Sequence, residues 1–439
     1  MKPFPGAVRS GALSHQTEMS TVTPANGLAF DAVIVGARAA GASLALLLAR
    51  AGWRVALIDR ASFPSDTMST HVIYPNTIAR LDAFGVLDRV MAHRPPPLYT
   101  AWHHEGRMFV APHQPIEGRD WAICVRRITL DAILLDQARA AGATVFENTQ
   151  VDSLVGAGTM ADPVRGVMAT TPGGPITILG TVVVGADGVS STVASLVGAK
   201  RTRVMPTETM LYFAYWTGAK GRNTQDFFFE APWVCAHFPA DDDHHVITMN
   251  GPIAERAGIR NLEEFYLQKI QSIPALRARL EGATKVSRVL GTTRLEGYYR
   301  QHTGPGWALI GDAAHFKHPA GAQGIWDAFE SSRVLADGLI AGDWMTRYPH
   351  WRDRESREFY AFSKHLAEPP GNEGMRRTMD ILIQDAGLAR RMVDVWARTS
   401  RPWVDVIPFI EGMDTVAGAS IEAVLAPYEA TPLDAAASA

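Results

Sequence analysis

The stretch that most constrains the fold runs from residue 31 to residue 60 and reads DAVIVGARAAGASLALLLARAGWRVALIDR. It begins with a continuous apolar run, DAVIVG, which is typical of a strand buried on both faces. Residues 42–51 have the composition of a helix that Gly52 closes, and residues 54–59 form a second apolar run that ends in an acid. The pattern predicts a strand-helix-strand unit, in which the strands are parallel and the crossover is right-handed.

The turn between the first strand and the helix carries Gly36 and Gly41, with Arg38 between them. A glycine-rich turn at this point directs backbone N–H groups and the positive end of the helix toward a pyrophosphate. Asp59 ends the second strand 18 positions after Gly41, where an acid can accept hydrogen bonds from ribose hydroxyls. These residues indicate a dinucleotide site, although a tight turn followed by an exposed acid would leave the same pattern.

Composition narrows the class of protein further. The 439 residues are 47% hydrophobic with a formal net charge of −3, which suits a globular protein and provides no basic field for nucleic acid. We therefore expect small-molecule partners and a monomer or homodimer. Cys124 and Cys235 are the only cysteines, too few for a disulfide framework, which fits a reducing cytoplasm. The most apolar run, residues 42–49, is far shorter than the ~20 residues of a membrane span, so no integral membrane segment is expected.

Two further motifs place an acid at the end of an apolar strand. GADG occupies residues 185–188 and GDAAH occupies residues 311–315, and the carboxyl ends of strands are where open α/β sheets bind ligands. With the glycine turn, these motifs make residues 30–345 similar to the class A FAD-dependent monooxygenases, the para-hydroxybenzoate-hydroxylase-like group. That group shares its FAD fold with geranylgeranyl reductases and flavin-dependent halogenases.

The resemblance implies an α/β fold with a Rossmann-like FAD-binding domain of the glutathione-reductase type, an antiparallel-sheet substrate domain and a C-terminal helical region. Short aromatic-rich strands separated by turns over residues 210–250 agree with the second of these. The first 28 residues, rich in Pro, Gly, Ser and Thr, are expected to be a disordered tail. The expected boundaries are 1–28 for the tail; 29–72, 119–195 and 290–345 for the FAD-binding domain; 73–118 and 196–289 for the substrate domain; and 346–439 for the helical region.

FAD, bound non-covalently, is the cofactor that the resemblance implies, with NADPH or NADH as the electron donor. By the family pattern the glycine turn holds the pyrophosphate, Asp59 the adenosine ribose, Arg127 the phosphate or ribityl region, Val151 the adenine and Asp312 the ribityl chain. PAGAQG, residues 319–324, forms the turn beside the isoalloxazine and leads into a helix whose positive end favours the negative charge of reduced flavin. The positions assigned to the cofactor are Gly36, Ala37, Arg38, Ala40, Gly41, Asp59, Arg60, Arg127, Val151, Asp187, Gly311, Asp312, Ala322, Gln323 and Gly324.

Three positions depart from the family pattern. Arg38 replaces a glycine, and its guanidinium is a candidate phosphate ligand in place of the close backbone contact. Ala194 stands in DGVSSTVA where an arginine is expected, which puts any nicotinamide contact from that motif in doubt. Trp326 stands where a small or amide residue is usual and is expected to reshape the pocket beside the flavin.

Three residues near the expected flavin are candidates for catalysis: His71, His315 and Lys317. His71 is equally well explained as a hydrogen-bonded structural residue, and Lys317 as a surface ion pair. DDDHH at residues 241–245 has metal-ligand residue types, but it is typical of a solvated loop and no metal is expected. The residues expected to contact substrate are Tyr212, Trp216, Trp233, Phe238, Pro319 and Trp326. Aromatic residues at strand spacing also pack in cores, so about half of the aromatic residues in these strands are expected to fill the core instead.

The resemblance implies an NAD(P)H-dependent monooxygenase that hydroxylates a small aromatic or polycyclic substrate through a flavin C4a-hydroperoxide, with molecular oxygen as co-substrate. One alternative is an FAD-dependent reductase of the geranylgeranyl-reductase type. A flavin-dependent halogenase is a second alternative, although its W-x-W-x-I-P signature is absent. A flavin-binding protein without enzymatic activity is the third, since a fold does not fix a function.

Overall fold

The computed structural model describes residues 28–221, 223–366 and 373–410, with the single residues Ile421 and Ala426. The expected N-terminal tail lies outside the described residues except for Leu28, as does the expected helical region after residue 410 apart from those two residues.

The strands, numbered in chain order, are β1 (Leu28–Val35), β2 (Val55–Ile58), β3 (Val72–Ile73), β4 (Tyr99–His104), β5 (Arg107–Ala111), β6 (Ile123–Cys124), β7 (Thr144–Phe146), β8 (Gln150–Val155), β9 (Gly166–Thr171), β10 (Gly174–Gly185), β11 (Arg201–Met205), β12 (Thr209–Thr217), β13 (Thr224–Glu230), β14 (Trp233–Pro239), β15 (His244–Pro252), β16 (Thr284–Lys285), β17 (Leu290–Thr292), β18 (Gly297–Arg300), β19 (Thr303–Gly304), β20 (Trp307–Leu309) and β21 (His315–Phe316).

The α-helices are α1 (Ala39–Arg50), α2 (Pro75–Ala83), α3 (Leu87–Met91), α4 (Arg127–Ala140), α5 (Thr192–Leu196), α6 (Leu262–Ser272), α7 (Pro274–Arg279), α8 (Gly324–Ala341), α9 (Trp344–Glu355), α10 (Arg357–Leu366), α11 (Glu373–Gln384) and α12 (Ala386–Asp394). Short 3₁₀ turns and one π-helical turn lie between them, at Asp241–Asp243, Ile253–Gly258, Gly311–Ala313, Pro319–Gly321, Pro402–Val406 and Ile407–Phe409.

The first sheet is built on five parallel strands in the order β20-β10-β1-β2-β7. β1 pairs in parallel with β2, to which α1 connects it, so the predicted strand-helix-strand unit is confirmed. Apolar residues fill both faces of β1, because α1, α4 and α8 cover one face while the antiparallel strands β8 and β9 belong to the core on the other. Because these strands are parallel, the carboxyl ends of β1, β2, β10 and β20 lie along the same edge of the first sheet.

The second sheet has the order β16-β12-β15-β14-β13-β4-β5, with β17 paired to β12. Its pairings are antiparallel except that β4 runs parallel to β13. Helices α6 and α7 cover its outer face. Its inner face packs in one core with residues of α10, α11 and α12. The predicted fold class, including the largely antiparallel second sheet, is confirmed.

Two segments differ from the expected domain boundaries. Helices α2 and α3 were expected with the second sheet, but Ile78, Leu81, Leu87 and Val90 pack in the same core as α1 and α8. β17, at residues 290–292, pairs with β12 and so belongs to the second sheet. The amphipathic pattern of α2 predicts a buried face, but it does not say which sheet that face covers.

Candidate active site

The glycine turn after β1 requires both of its glycines. Gly36 has φ +102°, and a Cβ there would lie 2.4 Å from the carbonyl oxygen of Ala186. A Cβ on Gly41 would lie 1.8 Å from the carbonyl oxygen of Gly36, because the first turn of α1 sits directly on the end of β1. Among the described residues, no side chain caps the N-terminus of α1. The backbone N–H groups of its first turn therefore remain free for an anion such as a pyrophosphate.

Asp59 organises this turn from the end of β2. Its carboxylate accepts hydrogen bonds from the backbone N–H groups of Ala37, at 2.7 Å, and Ala61, at 2.8 Å. Asp59, Gly36 and Ala40 line the cavity described below, whereas Ala37 and Gly41 lie behind its wall. The acid at the end of the second strand is therefore positioned beside the turn, as the motif predicts.

Arg38 has several protein partners in this structure. Its guanidinium donates to the carbonyl and hydroxyl oxygens of Ser65 at 3.1 and 3.0 Å, and to the carbonyl of Asp66 at 3.1 Å. It also pairs at 2.9 Å with the fully buried carboxylate of Asp131, which binds Arg127 as well. Arg38 thus connects the glycine turn to the loop at residues 65–66. A phosphate contact by Arg38 stays a prediction, since the residue also lines the cavity.

The two acids that follow β10 and β20 have different surroundings. Asp187 accepts hydrogen bonds from the Ser191 hydroxyl and from the backbone N–H groups of Thr192 and Val193, so it holds the start of α5. The carboxylate of Asp312 has no hydrogen-bond partner among the described residues, although it lines the cavity. Burial raises the pKa of Asp312 to about 6. Asp312 is therefore the acid with free acceptor capacity for a ligand hydroxyl.

The PAGAQG segment forms a turn that ends at the N-terminus of α8. Ala322 adopts the left-handed conformation with φ 44°, and α8 begins at Gly324 without a side-chain cap. Pro319, Ala322, Gln323 and Gly324 all line the cavity. Trp326 does not line it, and its ring instead lies 5.7 Å from the guanidinium carbon of Arg80. The expected reshaping of the pocket by Trp326 is therefore not supported.

Lys317 and His315 lie on the cavity wall beside this turn. The Lys317 ammonium lies 2.6 Å from Asp327 and donates to Gln323 at 3.2 Å, so the alternative of a surface ion pair is wrong. Burial, with Arg398 nearby, lowers the pKa of Lys317 to about 7. Burial also lowers the pKa of His315 to about 3, so its imidazole is neutral at physiological pH.

His71 does not line the cavity. It is fully buried, its Nε2 lies 3.2 Å from the hydroxyl of Tyr215, and its carbonyl accepts from the backbone N–H of Val125. Burial lowers the pKa of His71 to about 3. The structure favours the structural interpretation of His71 over the catalytic one.

Three of the expected substrate residues lie on the wrong face of the second sheet. Tyr212, Trp216 and Trp233 pack under α6 and α7, and the indole N–H of Trp216 donates to the hydroxyl of Tyr266 at 3.1 Å. Phe238 lies on the inner face, but it packs against Phe227 in the core and does not reach the cavity. Because side chains alternate along a strand, the inner-face positions of β12 are the odd-numbered ones. The structure therefore contradicts substrate contact by Tyr212, Trp216, Trp233 and Phe238.

A further set of wall residues is not among those expected from the sequence. Phe359, Phe362, Val395 and Trp396 come from α10 and from the segment after α12, and they line the cavity together with Leu211 of β12. The apolar periodicity of α10 and α12 is the signal that could have identified a buried face. That face packs against the second sheet, where the rings of Trp102 and Trp396 lie 5.5 Å apart.

The turns, acids and apolar side chains described above line one cavity of about 660 Å³. Its wall includes residues of the glycine turn, Asp312, the PAGAQG turn and apolar residues of the C-terminal helices. Of the residues assigned to the cofactor, those on its wall are Gly36, Arg38, Ala40, Asp59, Arg60, Arg127, Val151, Asp187, Gly311, Asp312, Ala322, Gln323 and Gly324. An uncapped helix start, an acid beside it and an unpartnered carboxylate further along are a donor and acceptor set that fits a dinucleotide such as FAD.

The DDDHH segment has other contacts. Asp241 is buried and accepts from the backbone N–H of Arg126 and the hydroxyl of Thr129, each at 2.7 Å. Within the described ranges, no three His, Cys, Asp or Glu side chains are grouped in a way that could hold a metal ion. In the same part of the chain, every helix is too short or too polar to cross a bilayer.

The fold and this cavity are those of a flavoprotein. The glycine turn leads into α1, and the N-terminus of a second helix, α8, lies at the same cavity. The chain belongs to the family described as FAD binding domain, whose model matches residues 29–342. It is 27% identical over 347 residues to 6-methylpretetramide 4-monooxygenase of Streptomyces rimosus, covering 74% of this chain and 79% of the relative. It is 25% identical to digeranylgeranylglycerophospholipid reductase of Methanococcus vannielii, covering 72% of this chain and 76% of the relative.

Among solved structures, the flavin-dependent brominase Bmp2 superposes with a TM-score of 0.72 at 17% identity, over 85% of this chain and 94% of that one. These findings confirm the predicted superfamily, and they identify the chain as an FAD-dependent oxidoreductase.

Proposed function

We propose that this protein is an NAD(P)H-dependent monooxygenase that hydroxylates an apolar, ring-bearing small molecule in the cytoplasm. The observation that carries the proposal is the continuity of the cavity, whose wall includes Asp312 and, at its apolar end, Phe359, Phe362 and Trp396. A ring seated against aromatic side chains would lie beside the PAGAQG turn, where the family pattern places the reactive ring of the cofactor. The two buried free cysteines fit a reducing compartment.

The protein's own residues would bind, orient and exclude water in this reaction. FAD, when bound, supplies oxygen activation, which no side chain can perform alone. The start of α1 and Asp59 would hold the pyrophosphate and adenosine end, and Asp312 would hold a ribityl hydroxyl. The apolar wall from α10 and the segment after α12 would exclude water from the ring of the substrate.

The similarity to 6-methylpretetramide 4-monooxygenase supports hydroxylation of an aromatic ring system. An FAD-dependent reductase is the second candidate function. This chain is also similar to digeranylgeranylglycerophospholipid reductase, over 76% of the length of that relative. The halogenase alternative is weaker, because W-x-W-x-I-P is absent from the sequence.

Oxygen-isotope labelling separates these candidates. The purified protein, loaded with FAD, is incubated with NADPH or NADH, ¹⁸O₂ and a panel of mono- and polycyclic aromatic compounds, and the products are analysed by mass spectrometry. A monooxygenase incorporates one ¹⁸O atom into the product and consumes one NAD(P)H for each. Two parallel incubations contain an isoprenoid without oxygen, or the aromatic panel with added halide. Reduction of the isoprenoid double bond or incorporation of halide there, with no ¹⁸O in any product of the first incubation, would contradict the proposal.

A further inference from the structure

A buried group of charged side chains lies at the start of α8, which we call the Asp327 cluster: Lys317, Gln323, Asp327, Arg352 and Arg398. The two oxygens of the Asp327 carboxylate are shared between Lys317, at 2.6 Å, and Arg398, at 2.7 Å. The side-chain oxygen of Gln323 accepts from the same two cations, at 3.2 Å each. Two cations thus share one carboxylate and one amide oxygen.

Arg352 adds a third cation. Its side chain is fully buried, and it donates to the carbonyl of Ala314 at 3.2 Å and to Nδ1 of His315 at 3.4 Å. Across the described ranges, no carboxylate lies within 4.0 Å of Arg352, and its Nη1 and the Nε of Arg398 have no hydrogen-bond partner. The guanidiniums of Arg352 and Arg398 also lie over the rings of Tyr299, at 4.6 Å, and Phe359, at 4.0 Å, which offsets part of the cost of their burial. Because the cluster holds three cations and one carboxylate, it keeps an excess of positive charge.

Lys317 is the cation of this cluster that lines the cavity. An ammonium has three donors, and Asp327 and Gln323 take two of them, so one N–H remains for a ligand. The same cavity is lined by Phe359, Phe362 and Trp396. A ligand that fits both features has a flat apolar ring and one anionic oxygen.

We propose that Lys317 is an anion-binding subsite that holds the ionised oxygen of a ring-bearing acid, with Asp327 and Arg398 as the residues that position the ammonium. This inference rests on the proposed function, because it takes the cavity beside the PAGAQG turn as the place of the substrate. It assigns the substrate to a chemical class, that of aromatic acids or comparably acidic enols.

The charged and titratable groups around Lys317 set the pH dependence of this subsite. Arg398 and Arg352 lower the pKa of Lys317, Asp327 raises it, and burial dominates, which brings the pKa to about 7. Neighbouring His315 is neutral because its pKa is lowered to about 3, while Asp312, with a pKa of about 6, is ionised above that pH. As pH rises from 6.5 to 8.5 the Lys317 ammonium loses its proton, while Asp312 completes its ionisation in the lower part of that range, so both changes weaken anion binding.

The test uses FAD-loaded protein and needs no turnover. Benzoate, 2-naphthoate and 9-anthracenecarboxylate, each paired with its carboxamide, are titrated while the absorbance of the bound flavin is recorded. At pH 6.5 at least one acid is expected to bind roughly tenfold more tightly than its amide, since a hydrogen bond to a charged group is worth at least one factor of ten. That preference should fall as pH rises through about 7.

Lys317→Met is expected to abolish the preference for the acid, whereas Lys317→Arg should keep it. The matched control is Lys269→Met, because the Lys269 ammonium lies over the Trp233 ring on the far side of the second sheet. If Lys317→Met does not retain FAD, the pH profile of Lys317→Arg decides instead, because a guanidinium keeps its charge and the preference for the acid should then no longer fall above about pH 7. Equal affinity for every acid and its amide, including no binding of either, would overturn the inference.

A changed flavin spectrum in Lys317→Met with an unchanged preference for the acid would also overturn it, because Lys317 would then act on the cofactor. Failure of the proposed function gives a different result, in which the preference for the acid is present but ¹⁸O is absent from all products.

Discussion

At the scale of single residues, the two acids at strand ends show what a motif predicts and what it does not. GADG and GDAAH each place an aspartate at the carboxyl end of a strand, and both prove to line the cavity. The motif does not distinguish a ligand-facing acid from a helix cap. The carboxylate of Asp187 has three hydrogen-bond donors from the start of α5, and the carboxylate of Asp312 has none among the described residues.

We expect Asp312→Ala to weaken FAD binding by about 1.5–3 kcal/mol at pH 7.5, because an ionised acceptor of a ligand hydroxyl is lost. Asp187→Ala should instead lower the melting temperature of the apoprotein, since the N–H groups of Thr192 and Val193 lose a charged acceptor, and such hydrogen bonds contribute about 1.5–3 kcal/mol. Titration of apoprotein with FAD and thermal unfolding of both variants measure the two effects. Equal losses of FAD affinity in the two variants would contradict this division of roles.

Arg38 is the residue that departs most visibly from the glycine pattern. We expect Arg38→Ala to speed the release of FAD and to raise hydrogen exchange at residues 60–70, because the guanidinium holds Ser65 and Asp66 against Asp131. If Arg38 instead acts only through a phosphate contact, FAD affinity falls while exchange in the loop of the apoprotein is unchanged. Stopped-flow release of FAD and hydrogen exchange of the apoprotein distinguish the two roles.

At the scale of elements, the strand-helix-strand unit could be predicted from its sequence. Its continuous apolar runs form strands that are buried on both faces, which is the burial that such runs predict. The second sheet could be predicted as a sheet, but the faces of its strands could not. All nine residues of β12 except Thr217 are buried, so the usual alternation of buried and exposed positions is missing. Without that alternation, the sequence does not say that Leu211 faces the cavity and Tyr212 faces α6.

The glycine turn gives the sharpest prediction at this scale. Gly41→Ala should abolish FAD binding and destabilise the first sheet, because its Cβ would overlap the carbonyl of Gly36 and force α1 away from β1. Gly258→Ala is the matched control, since nothing lies within 4 Å of the Cβ it would add. Flavin content after purification and the melting temperature report the result. Wild-type flavin content in Gly41→Ala would refute this packing of α1.

At the scale of the whole molecule, the cavity depends on long-range packing that no local pattern encodes. Phe359, Phe362, Val395 and Trp396 follow the FAD-binding core in sequence, yet they contribute apolar side chains to the wall of the cavity. Their amphipathic spacing predicts helices with a buried face, but not which surface that face covers. The wall residues of the glycine turn, the strand ends and the PAGAQG turn could therefore be predicted from the sequence, and the apolar wall residues of the C-terminal helices could not.

Buried histidines should make the apoprotein sensitive to mild acid. Burial lowers the pKa to about 3 for five of them and to about 4 for His302, the five being His71, His113, His237, His315 and His318. Between those values and about 6.5 these histidines bind more protons in the unfolded chain than in the folded one, so their contribution to stability is full above about pH 6.5 and falls as pH decreases. Chemical unfolding from pH 8 to pH 5 should show this loss. An unfolding free energy that is constant or rises toward pH 5 would contradict it.

The central claim is that the cavity between the glycine turn and α8 holds FAD without a covalent bond. The most direct measurement is the absorption spectrum of the purified protein, followed by acid precipitation and identification of the released cofactor. We expect a flavin spectrum and FAD in the supernatant at close to one equivalent per chain. Flavin that stays in the pellet would contradict non-covalent binding, and a colourless protein that does not take up FAD would contradict the assignment of the site.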